Sequence, residues 1–103
     1  MTDKVTLYIG LNDKDTKRQE ISTIEAYKIV QNIVMSMADG CTIYEADGVY
    51  RHNDGTITIE KSLKVELFGL FEGVVMSIIA LLKKALNQES IIKQVEIVNT
   101  VFV

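Results

Sequence analysis

Arginine is scarce in this chain, and one of its two copies, Arg51, stands beside Tyr50 and His52 where a strand runs into a turn. A guanidinium offers a rigid donor fork that suits phosphate or pyrophosphate oxygens. A solvated turn residue is the competing reading of the same position. His52 is the only histidine, so neither a multi-histidine metal site nor a triad with a further orienting histidine can be assembled. Beside a turn it is either exposed or part of a binding site. A second set runs Met76, Ala80, Lys83, Asn87, spaced to share one side of a helix. It offers a soft apolar surface, a cation and an amide, which suits a base and a sugar-phosphate. The same stripe also suits contact between subunits, and both readings hold if a ligand sits at that contact.

Other reactive residue types lack the surroundings that chemistry needs. A nucleophile requires an adjacent base, and Cys41 follows the end of a helical segment, where the dipole disfavours a thiolate. It reads as a structural cysteine. Glu45, Asp47, Glu60 and Glu66 fall on strand-like segments and could pair for acid–base work. Sheet faces carry such residues routinely, and no spacing among them is diagnostic. Neither GxGxxG nor a P-loop occurs, and Gly10, the only glycine in the first strand–loop junction, is too weak a signal alone. The expectation is a protein without catalytic residues, metal ligands or a cofactor.

The elements that must position these residues follow from periodicity. Val5, Leu7, Ile9 and Leu11 alternate with polar partners, the mark of a half-buried strand, and NDKDTKRQ is a charged surface loop. Ser22 with Glu25 three residues later predicts a capping box and a helix start. Ala26, Tyr27, Val30, Ile33, Val34 and Met37 form that helix's apolar stripe, with Gly40 placed for a left-handed C-cap. Cys41 to Tyr50 reads as a strand with a bulge at Gly48, and Asn53-Asp54-Gly55 as a hairpin turn. In the next strand Ile57, Ile59, Leu63, Val65 and Leu67 share the inward parity. Gly69 to Asn87 is a second helix whose apolar side chains span roughly 160°, wider than the ~100° that a single core-facing stripe needs. It packs on a sheet and meets another subunit or a ligand with part of its other side. Charges interrupt it too early for a membrane span. A final strand covers Ile91 to Val103, with Val95, Ile97, Val101 and Val103 inward. The order βαββαβ predicts an α+β, ferredoxin-like fold: a four-stranded antiparallel sheet with two helices on one face.

Composition sets the class. The 103 residues make one domain, and 48% hydrophobic with 24% charged residues is ordinary for a globular protein. A lone cysteine excludes an internal disulfide and fits a reducing cytoplasm, and MTDKVT has no leader-like pattern. A net charge of −3 argues against duplex nucleic acid as partner, but leaves room for an anionic small molecule held by one or two cations.

The strand and loop YIGLNDKDTK from Tyr8, the segment DGCTIYEADGVYRHNDGTITIEKSLKVEL from Asp39, and ALNQESI from Ala85 resemble the phage-encoded Thoeris anti-defence family, the founding "sponge" type. The similarity spans nearly the whole chain. It implies a protein that is not an enzyme, working in the host bacterial cytoplasm. Such a protein sequesters cyclic ADP-ribose isomers, the messengers made by Toll/interleukin-receptor-domain proteins, and so silences the downstream effector. It further implies a homodimer or a hexamer built as a trimer of dimers, with the ligand at a subunit interface, and a capacity in some members for cyclic oligonucleotides. Carried onto this sequence, Leu11 and Asn12 contact the ligand, Arg51 pairs with its phosphates with His52 beside it, Met76 lies under the base, and Asn87 bonds base or ribose near Lys83. Two other classes remain beside this one: a small dimeric enzyme of ferredoxin-like type, and a protein–protein inhibitor that docks through the long helix.

Overall fold

The computed structural model describes residues 2–103. Strand β1 (Thr2–Gly10) leads through a turn-rich loop to helix α1 (Thr23–Met35). Strands β2 (Thr42–Arg51) and β3 (Ile57–Phe68) form a long hairpin, helix α2 (Glu72–Ala85) follows, and β4 (Ile92–Val98) ends the order. The sheet runs β2-β3-β1-β4 with every pairing antiparallel. This is the α+β, ferredoxin-like arrangement that the periodicities predict.

Strand parity decides what is inside. Val5, Leu7, Ile9 and Leu11 of the first segment meet Leu63, Val65 and Leu67 of β3, and α1 contributes Ala26, Val30 and Val34. Helix α2 adds Val75, Ile78, Ile79 and Leu82, with Leu86 just beyond its end. These side chains form one core between the helices and a single face of the sheet. The opposite face carries the alternate residues and has no helix over it. Ser22 caps α1 as its spacing predicts, its hydroxyl accepting the Glu25 backbone N–H at 3.2 Å.

Several boundaries differ from the sequence reading, each for a local reason. Helix α1 stops at Met35, with Ser36 right-handed at its C-cap. Gly40 is therefore not a left-handed cap; the left-handed glycines are Gly55 and Gly69. Gly69 closes β3 by donating to the Asp3 carbonyl at 3.0 Å, so α2 starts at Glu72 rather than at Gly69. Tyr27 and Met37 lie exposed at the edge of the α1 stripe. The β2–β3 register is unbroken from Thr42↔Glu66 to Arg51↔Ile57, so no bulge exists at Gly48.

The largest departure is at the hairpin. Ile57 and Ile59 have the inward parity but are 55% and 67% exposed, as is Val49 beside them at 64%. Length explains this. The 12 residues of β3 reach roughly 40 Å at about 3.3 Å each, whereas the 14 residues of α2 span roughly 21 Å. The helices run out before the hairpin does, leaving a molecule 47 Å long and 26 by 24 Å across. At the other edge β4 ends at Val98. Val95 and Ile97 face the helix side without being covered, and Val101 and Val103 lie beyond the strand in the open.

Two substitutions separate parity from burial. Leu7→Ala removes a fully buried side chain and is expected to cost about 2–5 kcal/mol. Ile59→Ser, of the same inward parity but uncovered within one chain, is expected to stay within about 0.5 kcal/mol at dilutions where the chains are apart. Urea midpoints at constant m-value read both; equal losses would contradict the overhanging hairpin.

Candidate functional site

The face of the sheet that no helix covers divides into a filled half and a hollow half. In the filled half Glu66 accepts a hydrogen bond from the Tyr44 hydroxyl at 2.6 Å and pairs with Lys4 at 2.9 Å. Lys64 lies over the rings of Tyr44 and Tyr8, 5.2 and 5.8 Å from their centres. Together they cover Thr6, which is buried although it points away from the helices. The Tyr44 hydroxyl first, and then Lys4, hold the Glu66 carboxyl below its ordinary value of 4.5.

The hollow half begins where β1 carries Gly10 and β2 carries Gly48. It is a recess of about 850 Å³, within the usual range for a small-molecule site. Its floor is Glu60 of β3. The carboxylate lies so close over Gly10 that a Cβ there would sit 2.5 Å from Oε1 and 2.6 Å from Oε2. Oε2 accepts the Asn12 backbone N–H at 2.8 Å, which fixes the carboxylate where it lines the recess. Gly48 plays the matching part on β2. A Cβ on it would meet the Tyr50 hydroxyl at 2.8 Å and ring carbons at 3.1 Å, so the aromatic ring lies down over the glycine. Burial of the phenol, and then the negative charge of Glu60, push the Tyr50 hydroxyl above its ordinary value of 10.0.

One wall comes from the hairpin, where the His52 ring nitrogen Nε2 and the Thr58 hydroxyl share a hydrogen bond of 2.7 Å. The other comes from the Asp13–Arg18 loop and the α2–β4 junction, with Lys14, Lys17, Gln88 and Glu89 lining it. Among the described residues no cluster of three or more His, Cys, Asp or Glu side chains is arranged to hold a metal ion, and no helix is long and apolar enough to cross a membrane.

The seven residues singled out from the sequence do not come together. Asn12 and His52 line the recess. Leu11 is 5% exposed and belongs to the core. Arg51 takes the opposite parity from Tyr50, and its guanidinium donates to the Gly55 carbonyl at 3.4 Å within the turn. Met76 and Lys83 sit on α2, across the sheet from the recess. Asn87 has a left-handed backbone (φ 48°), and its side-chain amide donates to Asp13 and Asp15 at 2.8 and 2.9 Å. It holds a loop. In the sequence Glu60 is one strand carboxylate among four, and Tyr50 a neighbour of Arg51. Two glycines at outward strand positions, Gly10 and Gly48, are the signal that singles them out once the register is known.

A family match covers residues 4–102. The chain belongs to the DUF3574 family, described as a protein of unknown function. No curated protein matches it significantly. Among solved structures it is similar to a phage SAM lyase in complex with S-methyl-5′-thioadenosine, at 18% identity and a TM-score of 0.66, over 92% of this chain and 80% of the other. It is also similar to CutA from Synechococcus elongatus PCC7942 (14% identity, TM-score 0.58, 92% and 74% covered). CutA1 from Oryza sativa is a further likeness (17%, 0.57, 95% and 84%). At such identities the likeness is one of fold.

Stability should carry the mark of the filled half. Because Glu66 titrates below 4.5 in the folded chain, its contribution is present above that value and is lost as pH falls through the lower, folded one. Melting temperature followed from pH 6 to pH 2 is expected to fall less steeply in Glu66→Gln than in the parent. An identical acid limb would remove Glu66 from this role.

Proposed function

We propose that the protein binds an adenine nucleotide in the recess on its uncovered sheet face, holds it chemically unchanged, and works as a sponge for a signalling molecule of the cyclic ADP-ribose type. The observation that carries this is the pairing of a fixed carboxylate with an aromatic ring, each laid over a glycine. A carboxylate oxygen facing a recess accepts the vicinal hydroxyls of a ribose, as acidic residues do in dinucleotide sites. The Tyr50 ring offers a flat surface on which a base stacks, an interaction that needs no particular base edge. The nucleoside bound in the structurally similar phage SAM lyase supports a nucleoside as ligand. The anti-defence resemblance of the sequence supports a messenger of defence signalling.

One observation favours a second reading. Tyr50 and Glu60 place a phenol and a carboxylate in the same recess, a pair able to relay a proton, and the similar fold of a SAM lyase points to an adenosyl sulfonium as the substrate of such an enzyme. Incubation followed by chromatography of the recovered ligand separates the two. Intact cyclic ADP-ribose isomer released on heating supports the sponge. Conversion of S-adenosylmethionine to S-methyl-5′-thioadenosine would establish the enzyme instead.

Self-association belongs to the same proposal. Val49, Ile57 and Ile59 on the hairpin and Val95 and Ile97 on β4 leave apolar surface uncovered in one chain, and apolar patches of this kind mark contact sites. Sedimentation equilibrium is expected to give a dimer or a hexamer, and a monomer at high concentration would contradict it.

For the recess itself, calorimetric titration with cyclic ADP-ribose isomers, cyclic oligonucleotides and S-methyl-5′-thioadenosine is expected to show binding by at least one ligand that contains adenosine. Tyr50→Ala is expected to weaken it by about 1–3 kcal/mol through lost stacking, and Glu60→Gln by about 1.5–3 kcal/mol through the lost charged acceptor. Gly10→Ala is expected to weaken it as well, since the new methyl group displaces the carboxylate. Full affinity in all three variants would remove the site.

A further inference from the structure

The loop after β1 is built more firmly than a surface turn requires. The Asp13 backbone N–H donates to the Arg18 carbonyl at 2.8 Å, and the Lys17 N–H returns to the Asp13 carbonyl at 2.9 Å. Asp13 Oδ1 accepts the N–H groups of Asp15 and Thr16 at 2.8 and 3.1 Å. Lys17 is left-handed, with φ 63°, a conformation that a residue with a Cβ rarely adopts. A second clamp reaches in from the α2–β4 junction. The Lys14 N–H donates to the Asn87 carbonyl at 3.0 Å, the Asn87 amide takes up Asp13 and Asp15, and the Gln88 amide donates to the Asn12 carbonyl at 2.7 Å.

The consequence is electrostatic. Lys14 and Lys17 both line the recess, and among the described residues neither is in an ion pair; the salt bridges present are Lys4–Glu66, Arg18–Glu20, Lys61–Asp47 and Lys93–Glu72. The nearest acids in sequence, Asp13 and Asp15, are engaged by Asn87 and by backbone N–H groups. Two ammonium groups are thus displayed on a rigid loop at the edge of a site whose floor suits a ribose.

We propose that the Asp13–Arg18 loop is an anion clamp for a phosphate or pyrophosphate on the nucleoside held in the recess, with Lys14 and Lys17 as its cations and Asn87 as its positioning residue. This rests on the nucleoside reading of the recess and names the residues that hold the phosphates of its ligand. It also moves the phosphate contact from Arg51, which is turned into the hairpin, to a loop fixed in advance, so little ordering is required when the anion arrives. Asp13, Asp47, Glu60 and Glu89 line the same recess, with Asp47 paired to Lys61 and Asp13 hydrogen-bonded by Asn87, so the clamp favours ligands whose negative charge stays against the two lysines.

The test compares adenosine, AMP and ADP by calorimetry at low and at physiological salt. In the parent, ADP is expected to bind on the order of tenfold tighter than adenosine or better, the scale of a charged hydrogen bond, with the advantage shrinking as salt rises. In Lys14→Ala/Lys17→Ala the ratio of ADP to adenosine affinity is expected to fall toward one. Asn87→Gly keeps the left-handed backbone but removes the amide, and is expected to lower that ratio and flatten its salt dependence, neither of which a loss of stability alone would do. Melting temperatures within a few degrees of the parent confirm that the variants fold. An unchanged ratio in the double variant overturns the clamp while leaving the nucleoside site standing. Failure of adenosine, AMP and ADP alike to bind the parent overturns both.

Discussion

The missing Cβ at Gly10 is the constraint on which the site depends. A methyl group there would stand within 2.6 Å of three atoms of the Glu60 carboxylate, so the flexible Glu60 side chain would have to swing out of its place over β1. With glycine in place the carboxylate lies down across β1, binds the Asn12 backbone N–H at 2.8 Å and leaves a hollow above itself. Gly48 repeats the device on the other flank of β3, where the Tyr50 ring lies down in its turn. Two small residues on the strands that flank β3 convert a flat polar sheet face into a recess with a charged floor and an aromatic side. Both glycines weaken their strands, a cost that makes sense where something else must approach the backbone.

The same face shows what happens without that device. Around Tyr44, Lys4, Glu66 and Lys64, long side chains pair with each other and close over Thr6, and no hollow remains. The core on the other face contributes rigidity: Leu7, Leu63 and Ile78 are fully buried, and the strands that hold Gly10 and Glu60 are anchored through them. Binding residues on strands of a packed sheet are held more precisely than residues on loops. The Asp13–Arg18 loop in the site is fixed by its own hydrogen bonds and by Asn87.

Fold and site differ in how far the sequence discloses them. Period-2 alternation in Val5–Leu11 and Leu63–Leu67, the Ser22 cap and the Asn53-Asp54-Gly55 turn are local signals, and each maps onto the element observed. Burial along the hairpin is not local. Ile57 and Ile59 share the parity of Leu63 but depend on where a helix far along the chain comes to an end. The recess is less local still, because the relation of Gly10, Gly48 and Glu60 exists only through the β1–β3 and β2–β3 registers. Helical spacing puts Met76 and Lys83 on one side of α2, while the hollow lies on the other side of the sheet. Adjacent residues at a strand end part company in the same way: Tyr50 faces the recess and Arg51 faces away.

The most direct test of the central claim is amide chemical-shift mapping of the labelled protein titrated with adenosine. The account predicts that the largest shifts fall on Gly10, Asn12, Gly48, Tyr50 and Glu60, while the outer side of α2 at Met76, Ala80 and Lys83 stays still. Shifts concentrated on α2, or none anywhere at millimolar adenosine, would contradict it.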